Sequence, residues 1–121
     1  MFDITAEKTT NLLNKMIDFS ALKAKVVANN IANVNTPGFK RLDVSFDKQL
    51  TDTVENEESI KEIGFKVKAD GGDNAFRNDQ NTVNIDKEVS ELMQNSIEYE
   101  VYVQLMSQKH RLMSQAMRPN F

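Results

Sequence analysis

Residues 4–33 contain neither glycine nor proline, and their apolar side chains return at alternating steps of four and three. Leu13, Ile17, Ser20, Ala24, Val27 and Ile31 define a heptad seam, which only an α-helix presents on one face. Leu12, Met16, Phe19 and Val26 widen that seam on one side, and Lys8, Lys15, Lys23 and Lys25 supply much of the polar remainder. At about 1.5 Å per residue the helix runs roughly 45 Å. It stops at Asn35-Thr36-Pro37-Gly38, because proline lacks an amide donor and biases Thr36 away from helical angles, while glycine accepts positive φ.

A second stretch of the same kind closes the chain, from about 86 to 117. Val89, Leu92, Ser96, Tyr99, Val103, Met106, His110, Met113 and Met117 alternate by three and four, and Ile97, Val101, Leu105 and Leu112 broaden the stripe. Asp86 is the expected N-cap, with Glu88 and Glu91 set against the positive helix end. Pro119 ends the pattern.

Three segments result: 1–40, 41–84 and 85–121, with net charges of +2, −4 and −1 that sum to the −3 of the whole chain. The acidic middle is the least regular. Val44-Ser45-Phe46 and Ile63–Lys68 alternate as short strands do, whereas 51–62 has little to bury and 69–74 reads as a turn or mobile loop. The expectation for 50–82 is a flexible segment with at most one hairpin. The expected fold is therefore mainly α: two long terminal helices in a coiled-coil hairpin, forming one structural unit with a short flexible or β-containing insert.

That arrangement has a physical consequence. Each helix carries a stripe wider than a two-stranded seam can cover, and no third element of similar size exists. The surplus apolar surface predicts a subunit of a larger helical assembly.

Composition removes most other functions. With 15 basic against 18 acidic residues, the 121-residue chain lacks the basic face that nucleic-acid binding relies on. No cysteine and a single histidine exclude thiolate zinc sites, cysteine nucleophiles and any site needing two imidazoles. His110 falls on the second seam and is read as a packing residue. Asp70, Asp73 and Asp79 lack calcium-loop spacing, and no glycine-rich phosphate loop or nucleophile–base pair is found. The expectation is a chain with no catalytic residues, cofactor, metal or small-molecule substrate. No apolar run approaches the ~18 residues of a membrane helix, so no membrane insertion is expected. Residues 1–7 lack the basic-then-apolar plan of a cleavable secretion signal.

The segment Ala28-Asn29-Asn30-Ile31-Ala32-Asn33-Val34-Asn35-Thr36-Pro37-Gly38-Phe39-Lys40 is more specific. It resembles the N-terminal signature of the bacterial flagellar rod and hook protein family, Ala-Asn-Asn-Ile/Leu-Ala-Asn, one variable residue, Asn/Asp-Thr, one variable residue, then Gly-Phe/Tyr, at every fixed position. The short insert is similar to that of the small proximal-rod members. Asn81-Thr82-Val83-Asn84-Ile85-Asp86-Lys87-Glu88 resembles the stretch that opens their C-terminal helix.

The resemblance implies a structural protein of the basal body. Such proteins leave the cell through the flagellar type III apparatus without a cleaved signal. They polymerise in the periplasm into the rod that carries torque, gaining terminal order on assembly. Implied partners are further copies of the chain, other rod proteins, and ring or export components. Roles follow residue by residue. Leu13, Ile17, Val27 and Ile31 would pack the N-terminal helix inside the rod, and Asn29, Asn30 and Asn33 would set register at subunit contacts. Pro37 and Gly38 would turn the chain outward, and Phe39 would anchor that turn in a neighbour. Leu92, Tyr99, Val103, Met106 and Met113 would form the partner seam. The competing expectation is a stand-alone helical adaptor or export-chaperone-like module holding a partner on its methionine-rich stripe.

Overall fold

The structure, a computed structural model, describes residues 2–47, 60, 63–69 and 78–118. Four elements follow in order: α1 (Phe2–Ala32), β1 (Leu42–Phe46), β2 (Phe65–Ala69) and α2 (Ile85–Met117). Both helices lie within two residues of their expected limits. α1 ends slightly before the Pro-Gly pair, as the Asn33 N–H is shared between the carbonyls of Asn29 and Asn30 and a series of turns carries the chain to Gly38.

α2 begins differently from expectation. Its N-cap is Asn84, whose Oδ1 accepts from the N–H groups of Asp86 (3.1 Å) and Lys87 (3.4 Å). Asp86 lies inside the first turn. Replacing Asn84 by alanine should therefore lower stability by about 0.5–2 kcal/mol, as N-cap removal does elsewhere. Asp86→Ala should change it by less, and urea titration of the two variants checks the order.

The helices pack antiparallel. Asn95 Nδ2 donates to the carbonyl of Ser20 (2.8 Å), and near the other end Lys109 Nζ donates to the carbonyl of Ala6 and to Thr10 Oγ1. These contacts correct the expected seam on α2. The row turned toward α1 is Glu88, Asn95, Tyr102 and Lys109, flanked by Leu92 and Met106. Of the expected seam only Leu92 and Met106 are half-buried; Val89, Ser96, Tyr99, Val103, His110, Met113 and Met117 are exposed, Val89 and Val103 at 41% each. The physical reason is that the inner row is polar, with Glu88 paired to Arg41 and with Asn95 Nδ2 and Lys109 Nζ donating to backbone carbonyls of α1, so it packs without displaying an apolar period.

The row that widens α1 is covered by the strands. β1 and β2 form an antiparallel hairpin with Val44 opposite Val67 and Phe46 opposite Phe65. Phe19 of α1 stacks on Phe46 at 4.3 Å between ring centroids and meets Phe65 edge-on at 5.7 Å. Offset and edge contacts of this kind are favoured by the ring quadrupole. Lys15 Nζ reaches the carbonyl of Ile63 (3.0 Å) and lies over the Phe65 ring. Val26, Val27, Val44, Ile60, Ile63 and Val83 complete the buried core.

The expected flexible segment is therefore partly built. Its hairpin is formed, Ala69 belongs to β2 instead of a loop, and residues 81–83 are buried. The acidic run 51–59 and the glycine pair at 71–72 lie outside the described residues.

Candidate subunit interface

The signature segment forms a rigid turn held from inside the chain. Gly38 sits at φ +73°, the left-handed region where a Cβ is strained whatever space surrounds it. Its N–H donates to the carbonyl of Asp79 (2.8 Å). The lead-in to α2 is laced along the same turn. Thr82 N–H donates to the Phe39 carbonyl (3.1 Å), Arg41 N–H to Thr82 Oγ1 (2.8 Å), and Lys40 Nζ to the Gln80 carbonyl (2.7 Å). Asn81 is the centre of this lacing. Its Nδ2 lies within 3.1 Å of the carbonyls of Asn33, Val34 and Thr36, and its Oδ1 accepts from Val83 N–H at 2.7 Å.

One step further along lies a buried charge network. Arg41 Nε donates to Glu88 Oε1 at 2.6 Å, and its Nη2 reaches Glu91 Oε2 at 3.3 Å. Glu88 is fully buried, and Asn30 Nδ2 supplies its second carboxylate oxygen at 3.2 Å. Asn30 also exchanges two hydrogen bonds with Leu42: Nδ2 donates to the carbonyl and Oδ1 accepts from the N–H, both at 2.8 Å. Three elements, α1, β1 and α2, thus meet on one asparagine. Burial by itself lowers the Arg41 pKa. The hydrogen bond and charge of Glu88, then the charges of Glu91 and Asp43, outweigh it, so the guanidinium is held above its ordinary value. Glu88 is consequently an internal ion-pair partner and not an exposed charge tuned to the helix end.

The expected interface residues divide by position. Asn30 and Val27 are buried within the chain, and Asn30 spends its amide there. Leu13, Ile17 and Ile31 are half-buried on α1. Asn29 is exposed, and Asn33 caps back onto Asn29 and Thr36 locally. Pro37 is exposed at the turn and Phe39 is half-buried beside it. Leu92 and Met106 are half-buried between the helices, whereas Tyr99, Val103 and Met113 remain exposed.

Unburied apolar surface is concentrated on α2. Ile85, Val89, Met93, Ile97, Tyr99, Val101, Val103, Leu105, Leu112, Met113 and Met117 are all exposed there, and they spread around the helix instead of lining one stripe. The outward face of α1, by contrast, carries Glu7, Asn14, Asp18, Lys25 and Asn29. Exposed apolar side chains on several faces of one helix offer surface that neighbours can cover. The largest share of exposed apolar surface among the described residues is therefore on α2, with the turn of the signature segment near its N-terminal end.

Sequence reasoning missed Arg41 and Asn81. Asn81 stood in the motif that opens α2, but its role depends on three carbonyls some 45 residues earlier. Arg41 follows the signature directly, and nothing local marks it as buried. Among the described residues no group of three or more His, Asp or Glu side chains is placed to hold a metal ion, and no helix is long and apolar enough to cross a membrane.

Comparison with known proteins agrees with this geometry. Residues 20–40, the end of α1 and its turn, match the family model described as flagella basal body rod protein. The chain is 32% identical over 120 residues to the flagellar basal body rod protein FlgB of Bacillus subtilis, covering 90% of this chain and 89% of that one. It is 32% identical to FlgB of Borrelia hermsii, over 84% of this chain and 89% of the relative. Against FlgB of Aeromonas hydrophila the identity is 30%, over 88% and 89%.

Proposed function

Because this chain belongs to the FlgB family of flagellar basal body rod proteins, we propose that it is a structural subunit of the rod and that α2 is the surface through which it assembles. The observation that carries the second part is the apolar surface left around α2. Covering it releases water from side chains worth roughly 25 cal/mol per Å² of apolar area. The rigid turn after α1 fixes where the β-hairpin leaves the helical pair.

Three finer statements accompany this reading. The subunit belongs to the proximal part of the rod, since the segment between α1 and α2 is short, residues 33–84. It reaches the periplasm through the flagellar type III apparatus without a cleaved signal. Its neighbours are further copies and other rod proteins.

Deleting the gene in its source organism and imaging isolated envelopes by electron microscopy tests the reading. Envelopes without rods, hooks and filaments are expected, with restoration by the intact gene. A double variant, Ile97→Asp with Val101→Asp, should not restore them. Both positions are exposed, at 63% and 45%. The purified variant should therefore keep its melting temperature within about 3 °C, as surface substitutions do. Complete basal bodies in the deletion strain would overturn the assignment. Full restoration by the double variant would overturn the role of α2.

A further inference from the structure

The two outer edges of the β-hairpin differ. On the side of β1 away from β2, the N–H and C=O of Leu42 are both bonded to the Asn30 side chain. Val44 N–H, on the same side, donates to Asp43 Oδ1 (2.9 Å). Backbone groups alternate sides along a strand, so Asp43, Ser45 and Asp47 point toward β2, and Asp47 N–H accordingly donates to the Gly64 carbonyl (2.8 Å). The register then turns the N–H and C=O groups of Phe65, Val67 and Ala69 outward from β2. Among the described residues no strand pairs with that edge.

The side chains of β2 are equally unfinished. Val44 is 7% exposed, but Val67, opposite it on the same face, is 47% exposed. The apolar face that packs on Phe19 thus runs out at β2 without cover. On the other face Lys66 and Lys68 stand two residues apart, both exposed. Lys66 is paired with Asp47 (2.6 Å). Lys68 lies opposite Asp43, whose carboxylate already serves Val44 N–H and Arg41.

We propose that β2 receives one further strand from a partner protein, an extended segment that alternates apolar with acidic residues. The added backbone pairs with Phe65, Val67 and Ala69, one apolar side chain covers Val67, and carboxylates sit beside Lys66 and Lys68. Charge decides against a second copy of β2 in this place. Antiparallel pairing of the edge with itself, centred on Val67, sets Lys66 beside Lys68, and lysines on an open edge are a common guard against such pairing. The surface is separate from α2 and stands whether or not α2 is the assembly surface.

The test titrates the purified, isotope-labelled full chain with the synthetic peptide Ac-Ser-Glu-Val-Glu-Val-Glu-Ser-NH₂ and follows the backbone amides by nuclear magnetic resonance. Saturable shifts are expected at Phe65, Val67 and Ala69, with hydrogen exchange at the Val67 amide slowed about ten-fold at saturation. A peptide with lysine for each glutamate, and one N-methylated at both valines, should each bind about ten-fold more weakly or worse. Val67→Pro removes an outward N–H without touching a β1–β2 bond, so it should abolish binding while the Phe19–Phe46 ring contact persists. Lys66→Glu with Lys68→Glu should reverse the preference toward the lysine peptide. The proposal is overturned if the β2 amides do not move, if the N-methylated peptide binds as well as its parent, or if the charge preference survives in the double variant. Shifts of the same amides with protein concentration alone would place a second copy on the edge, and slow exchange at Val67 in the free chain would place a segment of the chain itself there; either result also overturns it.

Discussion

Replacing Glu88 by alanine is expected to lower the unfolding free energy by about 3–5 kcal/mol, the range found when one member of a buried ion pair is removed. The reason lies in what remains. Arg41 is 6% exposed, and its guanidinium cannot discharge, so without Glu88 it keeps a buried charge that has lost its closest carboxylate, with Glu91 at 3.3 Å and the exposed Asp43 at 3.8 Å farther off. Asn30 Nδ2 loses its carboxylate acceptor at the same time. Out of a typical total of 5–15 kcal/mol, such a loss brings the chain near its unfolding threshold. Urea titration of the purified variants measures it. The double variant Arg41→Met with Glu88→Leu should recover much of the loss, because neither charge is then buried alone. A cost below about 1 kcal/mol for Glu88→Ala would mean that Arg41 reaches water and that the network is not internal.

The same network shows where sequence periodicity stops being informative. Heptad spacing marked both helices to within two residues, because repeated apolar returns along uninterrupted chain leave little choice of secondary structure. On α2 it marked Leu92 and Met106, which do lie between the helices, but centred the seam one row away from the row that faces α1. Glu88, Asn95, Tyr102 and Lys109 face α1, and a hydrophobic pattern passes over such residues. Their partners are the Ser20 and Ala6 carbonyls and the Arg41 guanidinium, none of which has a sequence signature. Val89 and Val103 matched the pattern because apolar residues occur on several faces of α2, so more than one row satisfied it. The extra breadth of α1 was legible as surplus, but its cover was not. Phe19 meets Phe46 and Phe65 only once β1 and β2 pair, and that pairing joins residues separated by the long acidic run. The signature was legible as a motif. Its internal support depends on long-range hydrogen bonds.

Those bonds give the second large effect, expected for Asn81→Asp. The substitution changes one NH₂ group to an oxygen and little else in volume. It removes the donor shared among the Asn33, Val34 and Thr36 carbonyls and turns a carboxylate toward three oxygens that also carry partial negative charge. Asn81 is 1% exposed, so water cannot replace the lost donor. The Asn33 and Thr36 carbonyls keep the N–H groups of Thr36 and Phe39, so the main cost is a buried carboxylate set against carbonyl oxygens, and a loss of about 3 kcal/mol at pH 7 follows. Asn81→Ala, which adds no charge, should lose less. The pH dependence separates repulsion from simple loss of contacts. A carboxyl in this position titrates above its ordinary value near 3.9, because only its protonated form can donate to a carbonyl. The charge penalty therefore grows as pH rises through the unfolded-state value and is absent below it. Measured against the parent chain, the Asp variant should approach the Ala variant as pH falls below about 4 and diverge from it by pH 7. A difference between them that does not change with pH would mean that the 81 side chain leaves the turn on substitution. In that case Gly38, Thr82 and the backbone alone would hold the signature segment in place.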